Sequence, residues 1–210
     1  KDPMETVWMF VDAEQSIHID RADDQALKPS EILWLKQQRR FQLPPSTEEY
    51  AVTIAASIAK YYIEQKREVG MATAGQHYSI LPPERGERQL GKILEMLAIL
   101  KADGDLSLLS LVSTQINNLT RGSTIILITP SHDDEIIKLV IALLERGLLP
   151  VVVLIDQASF GGVGDYRTVE SRLVGFGILT FFIKYGEDLP ANLKSPQSSL
   201  DARLFYSKRK

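Results

Sequence analysis

The chain of 210 residues contains no cysteine. A disulfide framework, a thiol nucleophile and a cysteine-ligated zinc are therefore excluded, and a reducing compartment is favoured. Histidine is scarce: His18, His77 and His132 are too far apart for paired metal-ligand spacing, so each reads as a surface or hydrogen-bonded imidazole. No stretch reaches the ~20 uninterrupted apolar residues needed to cross a bilayer. An excess of one charge is also missing. With 24 Lys and Arg against 27 Asp and Glu, there is no basic field for a nucleic-acid backbone, and Arg39-Arg40 and Lys208-Arg209-Lys210 are too short to line a groove. Neither G-x-G-x-x-G nor G-x-x-x-x-G-K-[ST] occurs, and Gly161-Gly162-Val163-Gly164 has the wrong spacing for either, so nucleotide binding lacks its motif. Lys1-Asp2-Pro3-Met4 does not open a signal peptide, because a short apolar strand and then Asp12 follow almost at once. A soluble, cytoplasmic domain is expected, with any membrane contact supplied by segments outside it.

What is present is a core. At 44% hydrophobic residues, the chain can bury one interior, and residues 1–210 read as a single domain. Short runs rich in Val, Ile, Leu and Phe lie at Thr6 to Val11, Val69 to Thr73, Thr124 to Thr129, Pro150 to Ile155 and Ile178 to Ile183. Bounded by Gly, Pro or Asp, they read as strands buried on both faces, the habit of a parallel sheet. Trp8 sits inside the first and belongs to the core. Gln76 to Leu81 follows its neighbour at hairpin distance and is expected as one antiparallel edge strand.

Helical stripes fall between the strands. Ala51, Ile54, Ala55, Ile58 and Tyr62 share a face behind the capping box Ser46 and Glu49. Leu90 to Leu100 predict a second helix stopped at Asp103-Gly104, and Leu108 to Leu119 a third capped by Asp105. A fourth runs from Asp133 to Gly147, and a fifth from Tyr166 to Val174. The alternation predicts a doubly wound, mostly parallel α/β sheet with helices on both faces, a Rossmann-like layered fold. Two stretches break it. The insertion 17–45 spans about 29 residues where such connections usually take about 2–6; it is polar, lacks a sustained apolar period, and offers Trp34 as a contact anchor. The tail 187–210 reads as a surface segment or crossing arm.

In such a sheet the working residues gather where strands end at the carboxyl edge. Three loops qualify: Asp12-Ala13-Glu14-Gln15-Ser16, Asp103-Gly104-Asp105-Leu106-Ser107 and Thr129-Pro130-Ser131-His132-Asp133. Oxygen groups from several loops suit a hard cation such as magnesium. Ser131-His132-Asp133 contains the residue types of a catalytic triad, but adjacent residues cannot adopt its geometry.

Several blocks resemble the von Willebrand factor A-like region of the domain-of-unknown-function 58 family. They are the strand ending in Asp12, the helix Ser46-Thr47-Glu48-Glu49-Tyr50-Ala51-Val52, Val69-Gly70-Met71-Ala72-Thr73, Leu81-Pro82-Pro83-Glu84-Arg85-Gly86, Ile128-Thr129-Pro130-Ser131, and Asp156-Gln157-Ala158-Ser159-Phe160-Gly161-Gly162. The resemblance covers about residues 5 to 185. It implies a metal-ion-dependent adhesion site, Asp-x-Ser-x-Ser on the first loop, Thr on the second and Asp on the third. Here Glu14 stands where the first Ser belongs, Asp105 or Ser107 would have to replace the Thr, and Thr129-Pro130-Ser131 stands where Asp is expected. The metal set is therefore Asp12, Glu14, Ser16 and Asp105, a degenerate site expected to hold magnesium weakly or not at all. The resemblance further implies a protein-protein interaction module, the soluble part of a larger membrane-associated protein working with a MoxR-type AAA ATPase. No enzymatic activity is expected. The alternatives are a metal-assisted hydrolase using the same carboxylates, and a structural or oligomerising domain.

Overall fold

The computed structural model describes residues 5–20, 43–164, 166–189 and 193. Most of the insertion, with Trp34 and Arg39-Arg40, and most of the tail lie outside the described residues.

Among the described residues, six strands form one sheet: β1 (Thr6–Val11), β2 (Glu68–Ala74), β3 (Tyr78–Glu84), β4 (Thr124–Thr129), β5 (Leu149–Ile155) and β6 (Leu179–Ile183), in the order β3-β2-β1-β4-β5-β6. All neighbours are parallel except β2 and β3. The unbroken apolar run of β1 needs cover on both faces, and the strand indeed lies in the sheet's interior, between β2 and β4. The antiparallel edge strand is present but begins and ends later than its sequence implied. Pro82 and Pro83 lie within it, which an edge strand tolerates.

Among the described residues, five helices cover the sheet: α1 (Thr47–Glu64), α2 (Glu87–Ala98), α3 (Leu108–Gln115), α4 (Glu135–Glu145) and α5 (Arg167–Gly175). Strand alternation divides the core. Val7, Met9 and Val11 join Ile54, Ala55, Ile93 and Leu97 beneath α1 and α2. Trp8 and Phe10, with stacked rings, join Leu111, Val140 and Leu173 beneath α3, α4 and α5.

Three helix ends differ from the sequence expectation. Ser46 Oγ accepts the Glu49 amide at 3.5 Å, but the amide of Ser46 donates to Pro44 O at 2.8 Å, while the neighbouring Glu48 carboxylate accepts from Ala102 N at 2.8 Å. Helix α2 stops at Ala98, short of Asp103-Gly104. Gly104 serves a tertiary purpose instead, since a Cβ there would lie 2.1 Å from Ala74 O. Helix α3 is capped by Ser107 rather than Asp105, and gives way after Gln115 to a 3-10 turn at Ile116–Asn118.

Gln89 of α2 is buried, and its Nε2 donates to Val69 O at 2.8 Å and Pro82 O at 2.9 Å, tying the helix to both strands of the antiparallel pair. Gln89→Leu keeps the volume and strands two carbonyls. A loss of about 2–3 kcal/mol is expected, read as a lower urea midpoint at unchanged slope.

Candidate functional site

Alternation also positions the carboxyl-edge groups. Continuing β1 past Trp8 and Phe10 brings Asp12 to the α3–α4 face, and continuing β4 past Ile125 and Leu127 brings Thr129 to the same face of the adjacent strand. The amide of Asp12 extends the ladder to Ile128 O at 2.9 Å, and the two side chains meet: Thr129 Oγ1 donates to Asp12 Oδ2 at 2.6 Å. Asp12 Oδ1 accepts the Glu14 amide at 3.3 Å, and Thr129 Oγ1 accepts the Ser131 amide at 2.9 Å. Burial pushes the Asp12 carboxyl up from 3.8 to about 7, against the opposing pull of the Thr129 and Glu14 hydrogen bonds, with the Glu14 charge adding to the rise. A carboxyl titrating there is about half protonated at neutral pH.

Glu14 turns outward, where its Oε1 accepts the hydroxyl of exposed Ser16 at 2.6 Å. The second loop is drawn against the first by two backbone bonds, Gly104 N to Ala13 O at 3.0 Å and Gln15 N to Gly104 O at 2.8 Å. Ser107 Oγ accepts the Ser110 amide at 3.3 Å and donates to Ser110 Oγ at 3.1 Å. On the third loop Ser131 Oγ accepts the Asp133 amide at 3.3 Å.

Between the ends of β1 and β4 lies a cleft of about 30 Å³ lined by Asp12, Glu14, Ser107, Thr129, Ser131 and Asp133, space for about one or two water-sized occupants. Of the four metal-site residues expected from sequence, Asp12 and Glu14 line it together. Ser16 is coupled to Glu14 at the exposed tip, and Asp105 lies on the second loop outside the lining. Ser107, Thr129, Ser131 and Asp133 join the lining without having been assigned to the set. The signal for Thr129 was present in strand parity, since it ends β4 on the face where Asp12 ends β1.

The first loop is anchored from below. His18 Nε2 donates to Asp12 O at 3.0 Å, and its Nδ1 faces the Thr47 hydroxyl at 3.1 Å. Burial holds this imidazole below its ordinary pKa of 6.5, so it is neutral at physiological pH. Gln157 Nε2 donates to Ile17 O at 2.5 Å, and a Cβ on Gly162 would lie 2.9 Å from Ile19 Cγ1. The loop after β5 thus buttresses the loop after β1.

No family model matches the chain, and no curated protein matches it in sequence. Solved structures do match in shape. Conserved hypothetical protein BatB from Bacteroides thetaiotaomicron superposes with a TM-score of 0.58 at 11% identity, covering 98% of this chain and 99% of that one. The fold is the von Willebrand factor A-like form of the doubly wound sheet. Proximal thread matrix protein 1 from the mussel byssus gives a TM-score of 0.54 at 11% identity, over 90% of this chain and 46% of that one. Identities this low carry the fold alone.

Proposed function

We propose that the chain is a protein-protein interaction module that presents its carboxyl-edge loops to a partner, with a degenerate metal-ion-dependent adhesion site at their centre. The observation that carries this reading is the internal pairing of the cleft. Asp12 is satisfied by Thr129 and the Glu14 amide, Glu14 by Ser16, and Ser107 and Ser131 by the starts of their own helical turns. A magnesium ion asks for near-octahedral oxygen ligands with little tolerance. Binding it here would require Ser16 to leave Glu14 and a half-protonated, buried Asp12 to ionise. Among the described residues, no three Asp, Glu or His side chains cluster closely enough to hold a metal ion. The donor set fits the ion poorly, which disfavours metal-assisted hydrolysis at this cleft.

What remains at the edge is a small cleft whose lining carries the acidic Glu14, Asp133 and Glu135, which suits recognition of a basic protein surface. The proposed partner is a MoxR-type AAA ATPase, with this chain as the soluble part of a membrane-associated protein. No described helix is long and apolar enough to cross a membrane, so an anchor would be supplied from outside the described residues. The test is binding of the purified ATPase from the same genome to the intact chain. Glu14→Lys combined with Asp133→Lys is expected to weaken it at least about tenfold, or roughly 1.4 kcal/mol, without changing the melting temperature much. Equal affinity for both proteins would remove the carboxyl edge as the contact surface.

A further inference from the structure

Charge is nearly balanced along the chain but not across the sheet. The five parallel strands all begin at one edge, the amino edge, where the connections 65–67, 85–86, 119–123, 146–148 and 176–178 also lie. Those connections carry Lys66, Arg67, Arg85, Arg121 and Arg146 and no acidic residue. The opposite, carboxyl edge carries Asp12, Glu14, Asp103, Asp105, Asp133 and Asp134 against Lys101. Helix dipoles account for part of this polarity, because α1 and α4 end at the amino edge and favour a cation there. Each such end is worth about half a charge, so a full side-chain charge leaves an excess.

Part of that excess is used within the chain. Arg85 is held by Glu5 and Glu68, and the Arg67 guanidinium lies 5.1 Å from the centre of the Tyr62 ring. Of the acidic residues at the adjoining element ends, Glu64 pairs with Lys60, Glu84 with Lys92 and Glu68 with Arg85. Glu87 and Glu145 are left against the exposed Lys66, Arg88, Arg121 and Arg146. The same edge is apolar where β5 and β6 begin. Leu144 and Val174 in the last turns of α4 and α5, Leu149 at the start of β5 and Phe176 just before β6 are each 40–50% exposed. The loops before β4 and β5 are tied together, since Gly122 N donates to Gly147 O at 2.8 Å and a Cβ on Gly147 would lie 2.5 Å from Arg121 Nε. Arg121 is thus held beside the loop that carries Arg146 and leads into Leu149.

We infer that the amino edge is a membrane-facing surface, lying on anionic lipid headgroups with Leu149 and Phe176 entering the boundary between headgroups and acyl chains. Basic side chains near such a surface each gain several-fold in affinity, and exposed apolar groups among them add burial. The acidic carboxyl edge is repelled by the same lipids. Its cleft stands on the order of 20 Å from the bilayer, the length of β1, and faces away from it. The inference goes beyond the partner proposed for the carboxyl edge and does not depend on it, because the two surfaces share no residue.

The full chain with lipid vesicles supplies the test. Co-sedimentation with phosphatidylglycerol-rich vesicles is expected at about 0.1 M salt and should fall steeply at about 1 M, where the Debye length is about 3 Å. Pure phosphatidylcholine vesicles should leave the chain in solution. Lys66→Glu combined with Arg146→Glu should weaken binding at least about tenfold at unchanged far-UV circular dichroism. Phe176→Ser alters no charge and should weaken it at least about threefold. Glu14→Lys with Asp133→Lys should not weaken it, so a failure at the carboxyl edge and a failure at the lipid surface are read separately. No binding to anionic vesicles at low salt, or binding that survives reversal of Lys66 and Arg146, would overturn the inference. So would binding to soluble polyglutamate that is tighter than to vesicles and insensitive to Phe176→Ser, since the occupant would then be an acidic protein.

Discussion

Asp12→Asn is expected to abolish a pH dependence of stability on the order of 4 kcal/mol. In the folded chain the Asp12 carboxyl titrates near 7, against 3.8 as its ordinary value. Between those values the folded state holds a proton that the unfolded state has released, so stability falls as pH rises. The contribution is fully present below about pH 4 and lost above about pH 7, at about 1.4 kcal/mol per pKa unit. Asparagine keeps the size and an acceptor oxygen but does not titrate, so its profile lacks this descent. His18 works in the opposite sense. Its folded pKa lies below 6.5, so its contribution is present above 6.5 and lost as pH falls through the depressed value. Both proteins contain His18, so subtracting their urea-unfolding curves between pH 4 and 9 isolates the carboxyl. A difference that stays flat across that range would mean that Asp12 is solvated and ionised throughout.

Thr129→Val should give the next largest effect, and it should be larger at high pH. Valine matches threonine in shape but neither donates to Asp12 Oδ2 nor accepts the Ser131 amide, two bonds of 2.6 and 2.9 Å. Stranding the buried acceptor and the amide is expected to cost about 2–4 kcal/mol. The threonine bond favours the ionised carboxylate, so its loss moves the Asp12 titration above 7 and widens the window in which stability declines with pH. Unfolding at pH 5 and pH 9 checks both parts, since a cost independent of pH would uncouple Thr129 from the carboxyl.

Much of this arrangement was legible from residues alone. β1 and β4 are bounded where the apolar runs begin and end, because strands buried on both faces carry no charged residue to blur the limits. Asp12 was placed at the carboxyl edge on the same grounds. The misses share a physical cause, which is that they depend on tertiary partners. Gly104 read as a helix stop because glycine commonly ends helices, yet it is required by the approach of Ala74 O. Asp105 read as the cap of α3 because aspartate caps well, but Ser107 has the position from which a side chain reaches the free amide of Ser110. Ser16 belongs to the expected cation set by motif position, whereas its hydroxyl is bonded to the residue that alters the motif, Glu14. No local pattern encodes that exchange of partners.

Calorimetric titration of metal-free chain with magnesium tests most directly the proposal that the carboxyl-edge groups satisfy one another instead of an ion. The expected result is no saturable binding below about millimolar, where the binding free energy is roughly −4 kcal/mol. A one-to-one complex of micromolar affinity, abolished by Asp12→Ala, would contradict it and bring the hydrolase reading forward.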